Sequence, residues 1–330
     1  LKSRVGNFKE KENMRNSYLS FVAVLGMFFV FVSDVFAQTN YFNSSRNWAL
    51  NKKEVYFGAS ATNFLGDLGG GPGIGRQKSP LDMDFPATRA GWNAGFRYRF
   101  APRFATKTNL NWFWVNGNDA NTTNDVRNAR NLSFRSMVVE LSQQLEFIVW
   151  FSDNVRSQRS ARTSYMNKSS QLYLFTGLGA FFYNPKAKYD GSWVALRPLG
   201  TEGQNMADGP EPYKWYSFSV PVGIGFKTTL NSDWRLGFEL AYHKTFTDYM
   251  DDVSGYNYHD RAALAANNPL SATLADRSTN GLGWFNQGQQ RGNSADNDAF
   301  LMFNVHAIYN ISYKRGRKYS RSRSGIRTKF

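Results

Sequence analysis

From Arg89 to Asn116 the chain alternates apolar and polar residues through two long runs separated by a short break. Ala90, Trp92, Ala94, Phe96, Tyr98 and Phe100 share one parity, against Asn93, Gly95, Arg97 and Arg99 on the other. After Ala101-Pro102-Arg103, the residues Phe104, Thr106, Thr108, Leu110, Trp112 and Trp114 alternate with Ala105, Lys107, Asn109 and Asn111. Period-two alternation on both sides of a Pro-containing break is the pattern of a β-hairpin with one apolar and one polar face. Arms of about twelve residues reach ~40 Å at ~3.3 Å per residue, where strands of soluble proteins stop near half that length. Tilted by ~40°, such arms cross a ~25–30 Å apolar band. The pattern predicts a transmembrane β-hairpin.

The same alternation predicts six more strands. The first, Lys53 to Leu65, has weak parity because Gly58, Ala59, Ser60 and Ala61 are all small. Strand four is expected over Asn131 to Phe151, strand five over Gln171 to Tyr183 and strand six over Tyr216 to Leu230. Strand seven is expected over Trp234 to Phe246 and strand eight over Asp298 to Tyr313. Connections alternate between short, at Ala101–Arg103 and Asn231–Asp233, and long, at 66–86, 118–130, 184–215 and 247–297, while Ser152–Ser170 is intermediate. An even strand count with alternating short turns and long loops predicts an all-β, eight-stranded antiparallel transmembrane barrel with both termini on the turn side. Aromatics fall near both strand ends: Tyr98, Phe100, Phe104, Trp234, Tyr309 and Tyr313 on one side, Trp92, Trp112, Trp114, Tyr216, Phe218 and Tyr242 on the other. These are the expected interfacial girdles. A soluble sandwich or lipocalin-like barrel is the competing fold, and strand length counts against it.

Composition fits this pattern. Mean hydropathy is −0.51 although 16% of residues are aromatic, as when apolar and polar residues cancel along each strand. Met14-Arg15, the apolar run from Leu19 to Val32 and the Val35-Phe36-Ala37 ending predict a secretory signal peptide, with an uncleaved anchor helix as the alternative. The expected division is therefore upstream residues and signal peptide over 1–37, barrel over 38–313 and a basic tail over 314–330, in the outer membrane of a Gram-negative bacterium. The net charge of +15 falls only to +13 without residues 1–37, which carry five basic and three acidic side chains. Nucleic acid is not the expected partner, because the export signal places this charge outside the cytoplasm. Cysteine is absent, which removes disulfides, thiol nucleophiles and thiolate metal sites.

Eight strands leave an interior about filled by side chains. The polar parity sends Arg97, Arg99, Lys107, Glu146, Lys227 and Glu239 inward near the turn ends of their strands. Unpaired, such charges would cost several kcal/mol each, so a charge-paired plug is expected, with a proton relay or buried catalytic acid as the alternative. Candidate chemistry elsewhere is thin. The Gly69–Gly75 run lacks phosphate-loop spacing, and no GxSxG, HExxH or Walker pattern occurs. His243 with Asp248 hints at a rim hydrolase or acyltransferase pair, and Asp248, Asp251 and Asp252 could gather a hard cation. A solvated rim is the simpler reading of each, so no enzyme and no cofactor is expected. Arg156, Arg159 and Arg162, with Arg315, Arg317, Lys318, Arg321 and Arg323 of the tail, form a basic surface on the turn side. It suits anionic headgroups of outer-membrane lipids or an acidic periplasmic partner.

Six short stretches in order carry a family resemblance: Phe57–Leu68, Arg130–Phe134, Asn184–Tyr189, Leu196–Gln204, Pro221–Lys227 and Thr245–Gly255. Together they resemble the PorG-type family of small outer-membrane β-barrels of the Bacteroidetes type IX secretion system. The resemblance implies a non-catalytic eight-stranded barrel. It also implies association with a periplasmic ring of a PorK-like lipoprotein and a PorN-like subunit, in machinery that also serves gliding motility. A small porin or transporter is the other reading the barrel allows.

Overall fold

The computed structural model describes residues 48–69, 84–122, 124–153, 169–204, 206–230, 233–278, 286–293 and 297–311. Nine strands follow one another: β1 Lys53–Leu65, β2 Arg89–Arg99, β3 Phe104–Asn118, β4 Ser133–Asp153, β5 Ser169–Tyr189, β6 Ser192–Ala195, β7 Tyr216–Thr229, β8 Trp234–Thr245 and β9 Ala299–Ile311. Eight of them pair antiparallel with their neighbours, and β1 pairs with both β2 and β9 to close the sheet. The chain is therefore a closed eight-stranded antiparallel barrel, the architecture of a transmembrane outer-membrane barrel. No described helix is long and apolar enough to cross a membrane. The expected signal peptide, the 314–330 tail and Tyr313 lie outside the described residues.

Parity decides which side chains face out. On β4, Met137, Leu141, Leu145 and Phe147 are exposed while Ser136, Glu140, Ser142, Gln144 and Glu146 are buried. From Phe147 to Met137 this outward row rises about 25 Å at the strand tilt of such barrels. Trp92, Phe96, Leu110, Trp112, Leu174, Leu178, Phe218, Val222 and Leu240 continue the same belt around the barrel. An aqueous monomer would not carry an exposed apolar girdle of this size. Gln143 is a polar member of the outward row, and Thr108 Oγ1 donates to its Oε1 at 2.6 Å while its amide donates to Thr106. Polar groups facing lipid require such partners. A bulge between Ile148 and Trp150 resets the β4 register, so Ile148 is buried and Val149, Trp150 and Phe151 face outward.

Inside, large aromatics lean over glycines of neighbouring strands. The Tyr173 ring lies where a Cβ at Gly225 would sit, and Tyr56 does the same at Gly95. These positions need glycine for the close approach, whatever their backbone angles.

The elements depart from the sequence pattern in three places. Strand four begins at Ser133, since Asn131 takes a left-handed conformation (φ 55°) that ends helix α1, Asp125–Arg130. The sequence pattern ends strand five at Tyr183 and opens a long loop at Asn184, yet β5 continues six residues past Tyr183 and folds back on β6. Pro185 is tolerated because its carbonyl accepts from Leu196, while Asn184 N–H bonds the Ser136 hydroxyl. The connection after β8, read as irregular, holds α2, Arg261–Asn267, and α3, Pro269–Ala275. Asp260 and Asn268 cap their first turns.

Candidate functional site

The lumen is filled in layers. At the level nearest the short turns, Arg97 on β2 reaches three carboxylates from three other strands. Its guanidinium lies 2.9 Å from Glu54, 2.8 Å from Glu146 and 3.1 Å from Glu239. Lys107 pairs with Glu239 at 2.8 Å, and Lys227 and Arg235 reach Glu54 at 3.0 and 2.9 Å. Tyr173 donates to Glu239 at 2.6 Å, and the rings of Tyr56 and Tyr173 each lie 5.3 Å from the Arg97 guanidinium. Four cations thus meet three carboxylates across the barrel in a water-poor space. The alternating register aims them at one another, because β1, β2, β3, β4, β7 and β8 each present one or two such residues on the inward parity.

Above this level lies an amide layer. Asn93 donates to Ser60 at 2.7 Å and to Asn304 at 3.2 Å, and Asn109 donates to Asn111 at 2.9 Å. Next comes Glu140, which accepts from Asn111 at 2.7 Å and from Ser219, and meets His243 Nδ1 at 3.0 Å. The His243 ring stacks on Phe300 with centroids 4.5 Å apart. Phe64, Phe113, Val115, Phe134, Phe181, Met250 and Phe300 belong to one buried apolar cluster that fills the loop end of the lumen.

A second polar network ties the loops into a cap over that end. Arg130 pairs with Asp119 at 2.7 Å and donates to the carbonyls of Arg291 at 2.8 Å and Asp67 at 2.6 Å. Arg291 pairs with Glu202 at 2.8 Å, and Glu202 also accepts from the Ser254 amide and hydroxyl. Asp252 accepts from Thr201 and Tyr213, both at 2.6 Å, while Arg291 stands farther off at 3.9 Å. Burial opposes the charge on Arg130, but Asp119 outweighs it and holds the guanidinium above its ordinary value. For Asp252, burial wins over Arg291 and the two hydroxyl donors and pushes the carboxyl up to about 6.

Of the six residues expected in the plug, Arg97, Lys107, Glu146, Lys227 and Glu239 converge. Arg99 turns to the rim instead, where it donates to the Pro102 carbonyl and lies 5.8 Å from the Trp48 ring. It sits two residues nearer the turn, beyond the reach of the glutamate layer. Glu54 and Arg235 are the members that the alternation alone did not single out. Arg235 shares the parity of Glu239, whereas the small residues of β1 obscure that of Glu54. His243 takes Glu140 rather than Asp248 as its partner, since both point into the lumen from strands across the barrel. Of the candidate trio Asp248, Asp251 and Asp252, Asp251 accepts from the amides of Leu68 and Val253, and Asp252 from the hydroxyls of Thr201 and Tyr213. Among the described residues no three acidic or histidine side chains converge on a metal position. The buried carboxylates of the lumen layers, Glu54, Glu140, Glu146 and Glu239, are each held by a basic side chain. Arg156, Arg159, Arg162, Arg315, Arg317, Lys318, Arg321 and Arg323 lie outside the described residues, as does most of the Gly69–Gly75 run.

A family profile described as a domain of unknown function, DUF6089, matches residues 34–267. No curated protein matches the chain significantly. Among solved structures, the chain is similar to Ail, the attachment invasion locus protein of Yersinia pestis, at 9% identity and a TM-score of 0.33, over 78% of this chain and 97% of that one. It is also similar to Neisserial surface protein A, at 7% identity and 0.31, over 78% and 96% of the two chains. The N-terminal β-barrel domain of Pseudomonas aeruginosa OprF aligns at 8% identity and 0.30, over 78% and 99%.

Replacing Arg97 with Met leaves three glutamates short of a shared cation, and a loss of about 3–5 kcal/mol is expected. Urea unfolding of the detergent-solubilised barrel measures it, and a midpoint unchanged from wild type would rule out the network as a structural keystone. The cap should respond to pH through Asp252. Its folded-state value lies above the unfolded one of 3.8, so its contribution is fully present below about pH 4 and is lost as pH rises through about 6. Hydrogen exchange of the Thr201 and Ser254 amides should therefore quicken between pH 5 and 7 beyond the intrinsic trend. In Asp252→Asn that excess should vanish, and an identical excess in the variant would refute the assignment.

Proposed function

The chain belongs to the DUF6089 family, and from that premise we propose that it is an outer-membrane barrel that works through its rims rather than through its lumen. The observation that carries this is the convergence of Arg97 on Glu54, Glu146 and Glu239 across the whole section of the barrel. A conducting pore needs water and weakly held, exchangeable charges along its wall. Here the wall charges are mutually bound, the next layers are amides and aromatics, and the far end is closed by the loop cap. Within the general class of small porin-, adhesin- and transporter-like barrels, this supports a fixed platform over a channel. Short turns facing the periplasm and long loops facing outward is the orientation usual for such barrels, and it puts both ends of the strand array in the periplasm.

The finer reading is that the platform anchors or positions a periplasmic ring of the type IX secretion machinery. It rests on the PorG-type resemblance of six short stretches. Four of these contain Asp67, Arg130, Glu202, and Asp252 with Ser254, which knit the cap together. The stretches that carry the resemblance thus include the residues that hold this chain's cap together.

Reconstituted into planar bilayers, the full chain should show no stable large-conductance state, and a persistent open pore would sink the platform reading. Deletion of the gene should abolish or strongly reduce export by the type IX route. Intact export would remove the finer reading and leave the sealed barrel standing.

A further inference from the structure

The outward face of β4, β5 and β6 changes character abruptly at the loop end. Through Met137 on β4 and Phe182 on β5 it is apolar and exposed. One outward position beyond Met137 stands Arg135, whose register partner on β5 is Lys186, and one outward position beyond that is Lys188. Arg135 lies between two indoles, 5.6 Å from the Trp114 ring and 5.8 Å from the Trp193 ring. Trp193 is in turn the register partner of Lys188. Arg277, from the connection after β8, crosses to this edge, where it donates to the Ser133 hydroxyl at 3.3 Å and to the Lys188 carbonyl.

Four cations therefore share one face, three of them on β4 and β5 and the fourth, Arg277, from the connection after β8. Among the described residues none of them forms a salt bridge, and the Arg135 guanidinium makes no hydrogen bond; its buried Nε lacks a partner. Asp190 lies at the neighbouring tight turn, and Asp276 pairs with Arg261 at 3.7 Å. Stacking fixes Arg135 in place without consuming its donors. Among the described residues no salt-bridge network of the kind in the lumen offsets these charges, so the patch has positive charge to offer a ligand.

Height decides which ligand. The apolar outward row of β4 ends at Met137, about 25 Å above Phe147, so Arg135, Lys186 and Lys188 stand at the headgroup level of the leaflet beside the loops. Tryptophans mark such a boundary, and each cation at this height strengthens the attraction of anionic headgroups by roughly several-fold. We propose that Arg135, Lys186, Lys188 and Arg277 form a docking site for the phosphorylated saccharide headgroup of an outer-leaflet glycolipid, with the acyl chains lying against Met137, Phe182 and Trp112. Guanidinium and ammonium donors suit phosphate oxygens, and Trp193 offers an indole face to a sugar ring. The inference requires the outer-membrane placement and the outward loops, but not the sealed lumen, so its test is read independently of conductance.

The test titrates the detergent-solubilised full chain with diphosphoryl lipid A and follows bound lipid by native mass spectrometry. Wild type should bind, and the R135A/K186A/K188A variant should bind at least about tenfold more weakly. The K53A/K214A/K244A variant, which removes as much charge elsewhere, should match wild type. An unchanged affinity in the first variant, or an equal loss in the second, would overturn the site. Equal binding of the dephosphorylated glycolipid would overturn it as well. Competition by inorganic phosphate at equal concentration would assign the patch to the free anion instead. Folding of each variant is read from heat-modifiable electrophoretic mobility. Should the triple variant not fold, K186E, at an exposed position, is expected to show the same direction of effect, and wild-type affinity there would refute the proposal.

Discussion

Arg97 is bound by three carboxylates carried on β1, β4 and β8, and no two of those strands are neighbours in the barrel. That single guanidinium therefore measures whether the barrel has closed in the right register. A slip of one residue on any contributing strand would turn its charge to lipid and leave the remaining charges unmatched in a water-poor space. Each of Lys107, Lys227 and Arg235 then supports a glutamate that Arg97 also uses, so the network is satisfied as a whole or not at all. The structure depends on this mutual requirement more than on any one ion pair.

The loop end is organised by the same chemistry in different surroundings. Arg130 and Arg291 bind backbone carbonyls as well as carboxylates, and so fix loops that have little regular structure of their own. Among the described residues, the cap, the apolar cluster beneath it and the glutamate layer at the other end follow one another along the interior. On the outer wall, the outward row of β4 passes from the exposed apolar Met137 to Arg135, beside Lys186 of β5.

Much of this was legible in the residues. The alternation in Arg89–Asn116 located β2 and β3 closely, because a strand between lipid and a packed lumen has no freedom to break parity. Arg97, Lys107, Glu146, Lys227 and Glu239 could be grouped for the same reason, since a charge on the inward parity has nowhere else to go. Glu54 was harder to see, because Gly58 to Ala61 blur the inward and outward sides of β1. The alternation ends strand five at Tyr183, and only the supply of partners from Ser136 and Leu196 shows why the strand runs on through Asn184 and Pro185.

The sequence by itself determined the eight strands of the barrel, the face of each of them but β1, and the sign of charge at the inward positions of the others. These follow from local periodicity against two fixed surroundings, lipid outside and side chains within. Tertiary structure alone decided the pairings: that Arg97 serves three glutamates, that His243 meets Glu140 and not Asp248, and that Arg99 leaves the lumen for the rim. It also decided that Arg135 lies between Trp114 and Trp193, residues 79 positions apart in the chain. Such contacts depend on stagger around a closed barrel, a property of all eight strands together that no single stretch of alternation encodes.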